Sequence, residues 1–367
     1  MFHNYRLKNL NLRLIIYVIV LTVIGILVIG SANSGYQNRQ IIGMVLGIVV
    51  MTVIAMIDYE YLLQFTWIFY ALIVLLLGLV LLIGDDSGGA TRWIDLGIRF
   101  QPSELCKVLL ILFFARYFMN YEDEINQPRR LLITLFLLAV PVFLILREPD
   151  LSTTIVTVLI IFIMCFATGL SYKIIAWLFG IGVPAVLFAI FFILNHPQLA
   201  MDNYQFMRIL GWLRPDDYPQ SAYQQQNSIM AIGSGQLFGK GLYNNSVDSV
   251  KNGNYISEPQ TDFIFSVAGE ELGFVGSILI VILIFLIAFE CIRISRKAKD
   301  KAGQLICIGI ASLISVQGFV NICVVTGLMP NTGLPLPFVS YGLTSLVTLY
   351  IGIGFVLNVG LQAKKYT

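Results

Sequence analysis

Asp262 is the residue around which chemistry is most readily built. It stands in Ser257-Glu-Pro-Gln-Thr-Asp-Phe-Ile-Phe265, where a polar loop runs into a long apolar stretch. A carboxylate at such a junction has two readings. It caps the helix that follows, a role worth about 1 kcal/mol that Asp fills well, or it performs acid–base work on a bound molecule. Glu104 and Lys107 in Gln101-Pro-Ser-Glu-Leu-Cys-Lys107 are three apart and meet on one helix face. They form either a salt bridge that lets a charged helix start enter the membrane or a contact to an anionic ligand. Arg147-Glu-Pro-Asp-Leu-Ser-Thr153 packs three charges and a proline between two apolar runs. Pairing of Arg147 with Glu148 or Asp150 is the default there, because charges near lipid need partners.

Two further stretches have unusual backbones. Gly233-Ser-Gly-Gln-Leu-Phe-Gly-Lys-Gly241 superficially resembles a nucleotide-binding loop. However, Ser234 stands where G-x-x-x-x-G-K needs its first glycine, Gly241 replaces the Ser or Thr that holds magnesium, and no strand precedes it. The glycines instead suit a sharply turning interfacial segment whose backbone N–H groups could face phosphate oxygens. In Pro330-Asn-Thr-Gly-Leu-Pro-Leu-Pro-Phe-Val-Ser340, three prolines exclude a regular helix, so irregular backbone there must line a cavity or be buried in protein.

The elements that position these residues follow from composition. Of 367 residues, 57% are hydrophobic and only 12% charged, against about 25% charged in soluble domains, and the mean hydropathy is +0.83. The chain reads as an all-α polytopic membrane protein forming one domain over residues 1–367. Ten spans are expected: Leu14–Gly30, Ile41–Ile57, Phe65–Gly84, Leu105–Met119, Leu131–Leu146, Ser152–Thr168, Ile174–Leu194, Phe263–Phe289, Leu305–Gly327 and Tyr341–Leu361. The fourth is short and leans on its neighbours. The eighth, read as one continuous helix, puts Ser266, Gly269, Gly273, Gly276 and Ser277 on the side of Asp262 as a small-residue packing stripe. It also carries Glu270 and Glu271 roughly 12 to 14 Å below Asp262, where a structural role is expected for both. The basic start, Arg6, Lys8 and Arg13, followed by an apolar run of about 17 residues, reads as an uncleaved first span.

Lys and Arg set the orientation. With the N-terminus cytoplasmic, the inner side receives Arg6, Lys8, Arg13, Arg116, Arg129, Arg130, Lys173, the cluster from Arg293 to Lys301, and Lys364 and Lys365. Both termini are then cytoplasmic. A large extracytoplasmic loop, about 195–261, joins spans 7 and 8. The five cysteines form no CxxC pair or Cys/His cluster, so no disulfide framework or zinc site is expected. A net charge of +2 gives no reason to expect nucleic acid.

Taken together and in this order, the five stretches closely resemble the SEDS family of shape, elongation, division and sporulation proteins, which includes RodA, FtsW and SpoVE. The RodA branch is the most similar. The resemblance implies a ten-span peptidoglycan glycosyltransferase of the bacterial cytoplasmic membrane, polymerising lipid II on the outer face for cell elongation and shape. It also implies a class B penicillin-binding protein as partner within a cell-elongation complex. The family's essential aspartate falls on Asp262, its Pro-Ser-Glu-Leu-x-Lys pair on Glu104 and Lys107, and its Gly-Ala-x-Arg-Trp loop on Arg92 and Trp93. Asp262 would then be the general base. Arg92, Lys107, Arg147, Arg208 and Lys240 are the basic candidates for the diphosphate, acting directly or with a divalent cation, Mg or Mn; no covalently bound cofactor is implied. Glu104, Asp150 and Ser340 complete the substrate-binding candidates, and apolar span faces offer a groove for the lipid tails. Two positions depart from the family pattern: Asn227 replaces a common Gln before Ser228, and Gln236 stands where a third glycine is frequent. A lipid-linked precursor flippase and a silent scaffold for a penicillin-binding protein remain alternatives, since buried charges and broken helices also describe transporters.

Overall fold

A computed structural model of the chain describes residues 7–87, 90–95, 99–196, 204–244, 249, 253 and 255–362. Arg6, Lys364 and Lys365, named above for orientation, lie outside the described residues, as do parts of the two larger polar loops. Twelve main helices run α1 (Leu12–Ala32), α2 (Ser34–Met56), α3 (Thr66–Ile83), α4 (Pro102–Asn120), α5 (Pro128–Arg147), α6 (Leu151–Thr168), α7 (Tyr172–Asn195), α8 (Tyr204–Leu213), α9 (Pro219–Ser234), α10 (Ile264–Ser295), α11 (Lys301–Val325) and α12 (Leu343–Leu361). All but α8 and α9 match the ten expected spans. The loop expected over 195–261 thus carries two helices of its own. Between α3 and α4, β1 (Asp85–Ser87), β2 (Ala90–Asp95) and β3 (Arg99–Phe100) form a small antiparallel sheet, the only sheet among the described residues.

Among the described residues, nine helical segments are long and apolar enough to cross a membrane, and the chain is a multi-pass membrane protein. The tenth, α4, falls short because it carries Glu104, Lys107 and Arg116. Its position explains how it tolerates them: 14 of its 19 residues are buried, with α3, α6 and α11 packed around it. Lipid never meets its charged start. Pro102 opens it at a position where the missing N–H costs nothing. At the other extreme, α7 has no buried residue and packs chiefly on α8.

The eighth span differs from the continuous helix expected. Gly273 adopts φ 67° and ψ −164°, a conformation essentially restricted to glycine, and it breaks α10 after its first nine residues. The small-residue stripe from Asp262 to Ser277 is therefore not one helix face. Groups freed at the break would be costly inside a membrane protein, and the glycine-rich segment after α9 satisfies them. Phe274 and Val275 donate to the carbonyls of Gln236 (2.8 Å) and Leu237 (3.1 Å), while Lys240 and Gly241 donate to those of Glu270 (2.9 Å) and Glu271 (3.0 Å). The backbones touch so closely that a Cβ at Gly239 would overlap the Glu271 carbonyl, and one at Gly273 would overlap the Gly239 nitrogen. Of the N–H groups expected to face phosphate, those of Lys240 and Gly241 are already bonded to the broken helix and that of Gly239 to the Gly235 carbonyl. Gln236 itself sits at φ 50°, which accounts for the usual preference for glycine there.

Gly239→Ala is expected to destabilise the protein by at least about 1–2 kcal/mol, from its φ of 77° alone. Gly78→Ala, in α3 with open space around it, is expected to be neutral or stabilising by about 0.5–1 kcal/mol. Thermal unfolding of both purified variants in detergent checks the contrast.

Candidate active site

Asp262 lies just before α10, but Phe263 holds the N-cap position and no side chain caps the helix. The capping alternative is thereby set aside, and the carboxylate faces a cavity of about 430 Å³ instead. Polar groups reach it from several separate segments, among them Arg92 from β2, Arg208 from α8, Gln224 from α9, Glu258 from the loop before α10, and Thr344 and Ser345 from the start of α12.

Gly333 sets the spacing among these groups. At φ 76°, it offers a bare Cα where a side chain would intrude: a Cβ would lie 3.2 Å from Asp262 Oδ2, 3.6 Å from an Arg208 terminal nitrogen and 3.8 Å from one of Arg92. One carboxylate and two guanidinium groups therefore converge on the same small volume. Burial pushes the Asp262 carboxyl above its ordinary range, Arg208 and Arg92 pull it back, and Glu258 and Asp150 push it up again; the net direction is upward. A carboxylate raised in this way is a better proton acceptor than an ordinary aspartate while remaining next to fixed positive charge.

Arg92 is held from behind. Its Nε points at the Glu148 carbonyl (3.5 Å), another guanidinium nitrogen donates to the Pro149 carbonyl, and Asp150 Oδ2 lies 3.9 Å away. Asp150 in turn caps α6, accepting from the Thr153 N–H (3.0 Å) and hydroxyl (2.9 Å). The expected pairing of Arg147 with Glu148 or Asp150 is corrected. Arg147 is exposed and stacks near Phe143, its guanidinium carbon 5.9 Å from the ring centre, and it does not line the cavity. Arg92, which lies 56 residues before Glu148 in the sequence and so beyond any local argument, takes its place. Glu148 is fully buried, and burial, with Asp150 adding and Arg92 opposing, pushes its carboxyl up to about 8.

The remaining candidates support the cavity from outside its lining. Lys107 Nζ bonds Glu104 Oε1 at 2.7 Å and Gln317 Oε1 at 2.8 Å, with Glu104 and Lys107 each 2% exposed. Gln317 Nε2 reaches the Pro335 carbonyl at 3.0 Å. The Ser340 hydroxyl donates to the Thr261 carbonyl and accepts from the Leu336 N–H, both at 2.7 Å. Lys240 pairs with buried Glu270 at 2.7 Å beside the helix break, and Glu271 accepts from the Ser31 hydroxyl at 2.6 Å, which fits the structural roles expected for both glutamates. In this conformation Glu104, Lys107, Asp150, Lys240 and Ser340 are not on the cavity wall. Asn227 and Ser228 likewise bond the backbone carbonyls of Tyr255 (2.9 Å) and Val325 (2.8 Å).

Sequence reasoning missed Gly333 and Asn321. Asn321, 1% exposed in α11, donates to the carbonyls of both Asp262 (2.8 Å) and Leu334 (2.6 Å), joining the two segments that meet at the site. A lone Asn inside an apolar span was the available signal. Gly333 offered only a glycine in a turn-rich stretch.

This architecture can be set beside known proteins. The sequence model of the FtsW/RodA/SpoVE cell cycle proteins matches residues 10–365. The chain belongs to the FtsW/RodA/SpoVE family. Among curated members, it is 33% identical to the probable peptidoglycan glycosyltransferase FtsW of Geobacter sulfurreducens, covering 98% of this chain and 97% of that one. It is 35% identical to the peptidoglycan glycosyltransferase MrdB of Escherichia coli K12, over 97% and 95%. Among solved structures, the rod shape determining protein RodA of Thermus thermophilus superposes with a TM-score of 0.70 at 26% identity, over 97% of this chain and 98% of that one. A chain from a peptidoglycan synthase complex, studied for the coordination of polymerisation and crosslinking, superposes with a TM-score of 0.78 at 27% identity, over 95% and 97%. The ten-span SEDS architecture read from the sequence is the fold of this family.

Replacing Lys107 by Met leaves Glu104 buried without its cation and is expected to cost about 3–5 kcal/mol. The double variant Glu104→Gln/Lys107→Met is expected to recover more than half of that loss. Thermal unfolding in detergent, with a double-mutant comparison, measures both.

Proposed function

We propose that this chain is a peptidoglycan glycosyltransferase that polymerises lipid II, with Asp262 as its general base. The observation that carries the reading is the convergence of Asp262, Arg208 and Arg92 over Gly333. The relatives' names supply the substrate class, and the geometry suits the reaction. Asp262 takes the proton of the acceptor's sugar 4-hydroxyl as that oxygen attacks the donor's anomeric carbon. The bond from that carbon to the diphosphate oxygen breaks, and the polyprenyl diphosphate leaves with the electron pair. Arg208 and Arg92 meet the charge that develops on the leaving group.

The donor set around the cavity suits an anion better than a metal. Its carboxylates, Asp262 and Glu258, stand among two guanidinium groups, and no cluster of three or more His, Cys, Asp or Glu occurs among the described residues. The diphosphate charge is therefore assigned to the arginines, and no step is routed through Mg or Mn.

In the cell, the proposed orientation puts the Asp262 end outside and both termini in the cytoplasm, because the Lys and Arg clusters lie at the opposite end of the bundle. The likeness to a chain of a peptidoglycan synthase complex supports a class B penicillin-binding protein as partner. A role in elongation and shape follows the RodA-like reading.

The test is polymerisation of lipid II by the purified chain, with and without a class B penicillin-binding protein. Wild type is expected to give glycan strands, and Asp262→Asn at equal folded amount at least a hundredfold less. Equal product from both would remove Asp262 as the base. No product from either, with the partner present, would favour the flippase or scaffold readings. The raised carboxyl also fixes the sign of the pH response. Because the base works deprotonated, the rate should rise with pH through the Asp262 titration. Arg208→Ala removes the main influence lowering that titration, so the acidic limb of the pH–rate profile should move to higher pH.

A further inference from the structure

At the end of the bundle away from Asp262, the chain forms a second cavity, of about 460 Å³, between the start of α1, the last turn of α10 and the end of α12. Lys8, Arg13, Arg293 and Lys297 line it. Arg293 is balanced by Glu290, 3.3 Å away, whose other oxygen accepts from the Asn11 side chain at 2.7 Å. Lys8, Arg13 and Lys297 have no carboxylate partner among the described residues, so three uncompensated positive charges face one concave space. A bias of basic residues toward one side of a membrane accounts for their presence at this end. It does not account for their arrangement around a cavity of ligand size.

The walls say what kind of anion fits. Leu12 lines the cavity beside Arg13, and Ile16 follows one turn along the same face of α1, 61% and 55% exposed. On α10, Phe289 and Ile292 lead away from Arg293 and are 51% and 48% exposed. Two apolar rows thus run from the basic cavity along the membrane-facing surface. A free anion would use only the cations, whereas a phospholipid would set its phosphate among them and lay its acyl chains on these rows. A headgroup with its own ammonium would add a positive charge to three already unpaired, so a net anionic headgroup is selected.

We propose that this cavity is a binding site for the phosphate of an anionic phospholipid in the leaflet opposite the Asp262 cavity. The proposal does not depend on the activity assigned to Asp262.

The test is native mass spectrometry of the full-length protein in detergent, titrated with phosphatidylglycerol or phosphatidylethanolamine. The test variant is Lys8→Gln/Arg13→Gln/Lys297→Gln; the three side chains are exposed, so folding should survive, as thermal unfolding will show. The control variant, Arg116→Gln/Arg129→Gln/Lys173→Gln, removes the same charge at the same end but away from the cavity. Wild type and control should retain phosphatidylglycerol, and the test variant should bind it about 100-fold more weakly. Millimolar inorganic phosphate should not displace it. Equal retention by the test variant, or equal binding of phosphatidylethanolamine by wild type, overturns the proposal. Displacement by inorganic phosphate would make the site one for a free anion, and preferential capture of a synthetic poly-glutamate peptide would make it one for an acidic protein tail; either result also overturns it.

Discussion

Irregular backbone inside a membrane protein must find its hydrogen bonds within the protein, and this requirement organises most of the polar chemistry in the chain. Two irregular stretches matter, the break at Gly273 and the proline-containing run 330–342. The first is closed by the glycine-rich segment 236–241, backbone to backbone. The second is held by side chains from several helices: Gln317 on the Pro335 carbonyl, Asn321 on that of Leu334 and Gln40 on that of Ser340, while Gln225 holds the Val324 and Met329 carbonyls just before it. Ser340 then bonds Thr261, and Tyr341 bonds Gln260. The loop carrying Gly333 and the loop carrying Asp262 are thereby fixed to each other.

Those supports explain the division of labour among the polar residues. A salt bridge at 2% exposure is a poor place from which to bind substrate, but Lys107 orients Gln317 and so reaches Pro335. Asp150 stands behind Arg92 in the same way. The groups facing the cavity are few, and their charges are opposed: a carboxylate raised by burial, beside two guanidinium groups that keep it from rising further. That balance is what the proposed reaction needs, since a base and a partner for a departing anion must then share one volume.

Span positions and a candidate carboxylate at the mouth of one span were legible in the amino-acid order because each is a local property. Apolar runs of membrane length declare themselves, and Asp262 stands out as a carboxylate at the mouth of one of them. The break at Gly273 was not legible. Glycine in an apolar helix also serves close packing, and only the approach of Gly239 from another segment distinguishes the two uses. Within its own stretch of sequence, Arg147 is the cation at hand for Glu148 or Asp150. In the fold, β2 delivers Arg92 to that turn, while the α5 helix points Arg147 outward.

By itself, then, the sequence determined the class of molecule, its ten crossings, the bias of positive charge to one end and the family whose motifs it carries. Each depends on residue type and short-range spacing, which folding does not change. Only the tertiary structure decided which charged residues meet. Arg92, Arg208, Asp262 and Gly333 come from four segments spread over some 240 positions, and their separations in space are set by helix packing and loop anchoring. For the same reason, Glu104, Lys107, Lys240 and Ser340 look like ligands in the sequence and act as supports in the fold.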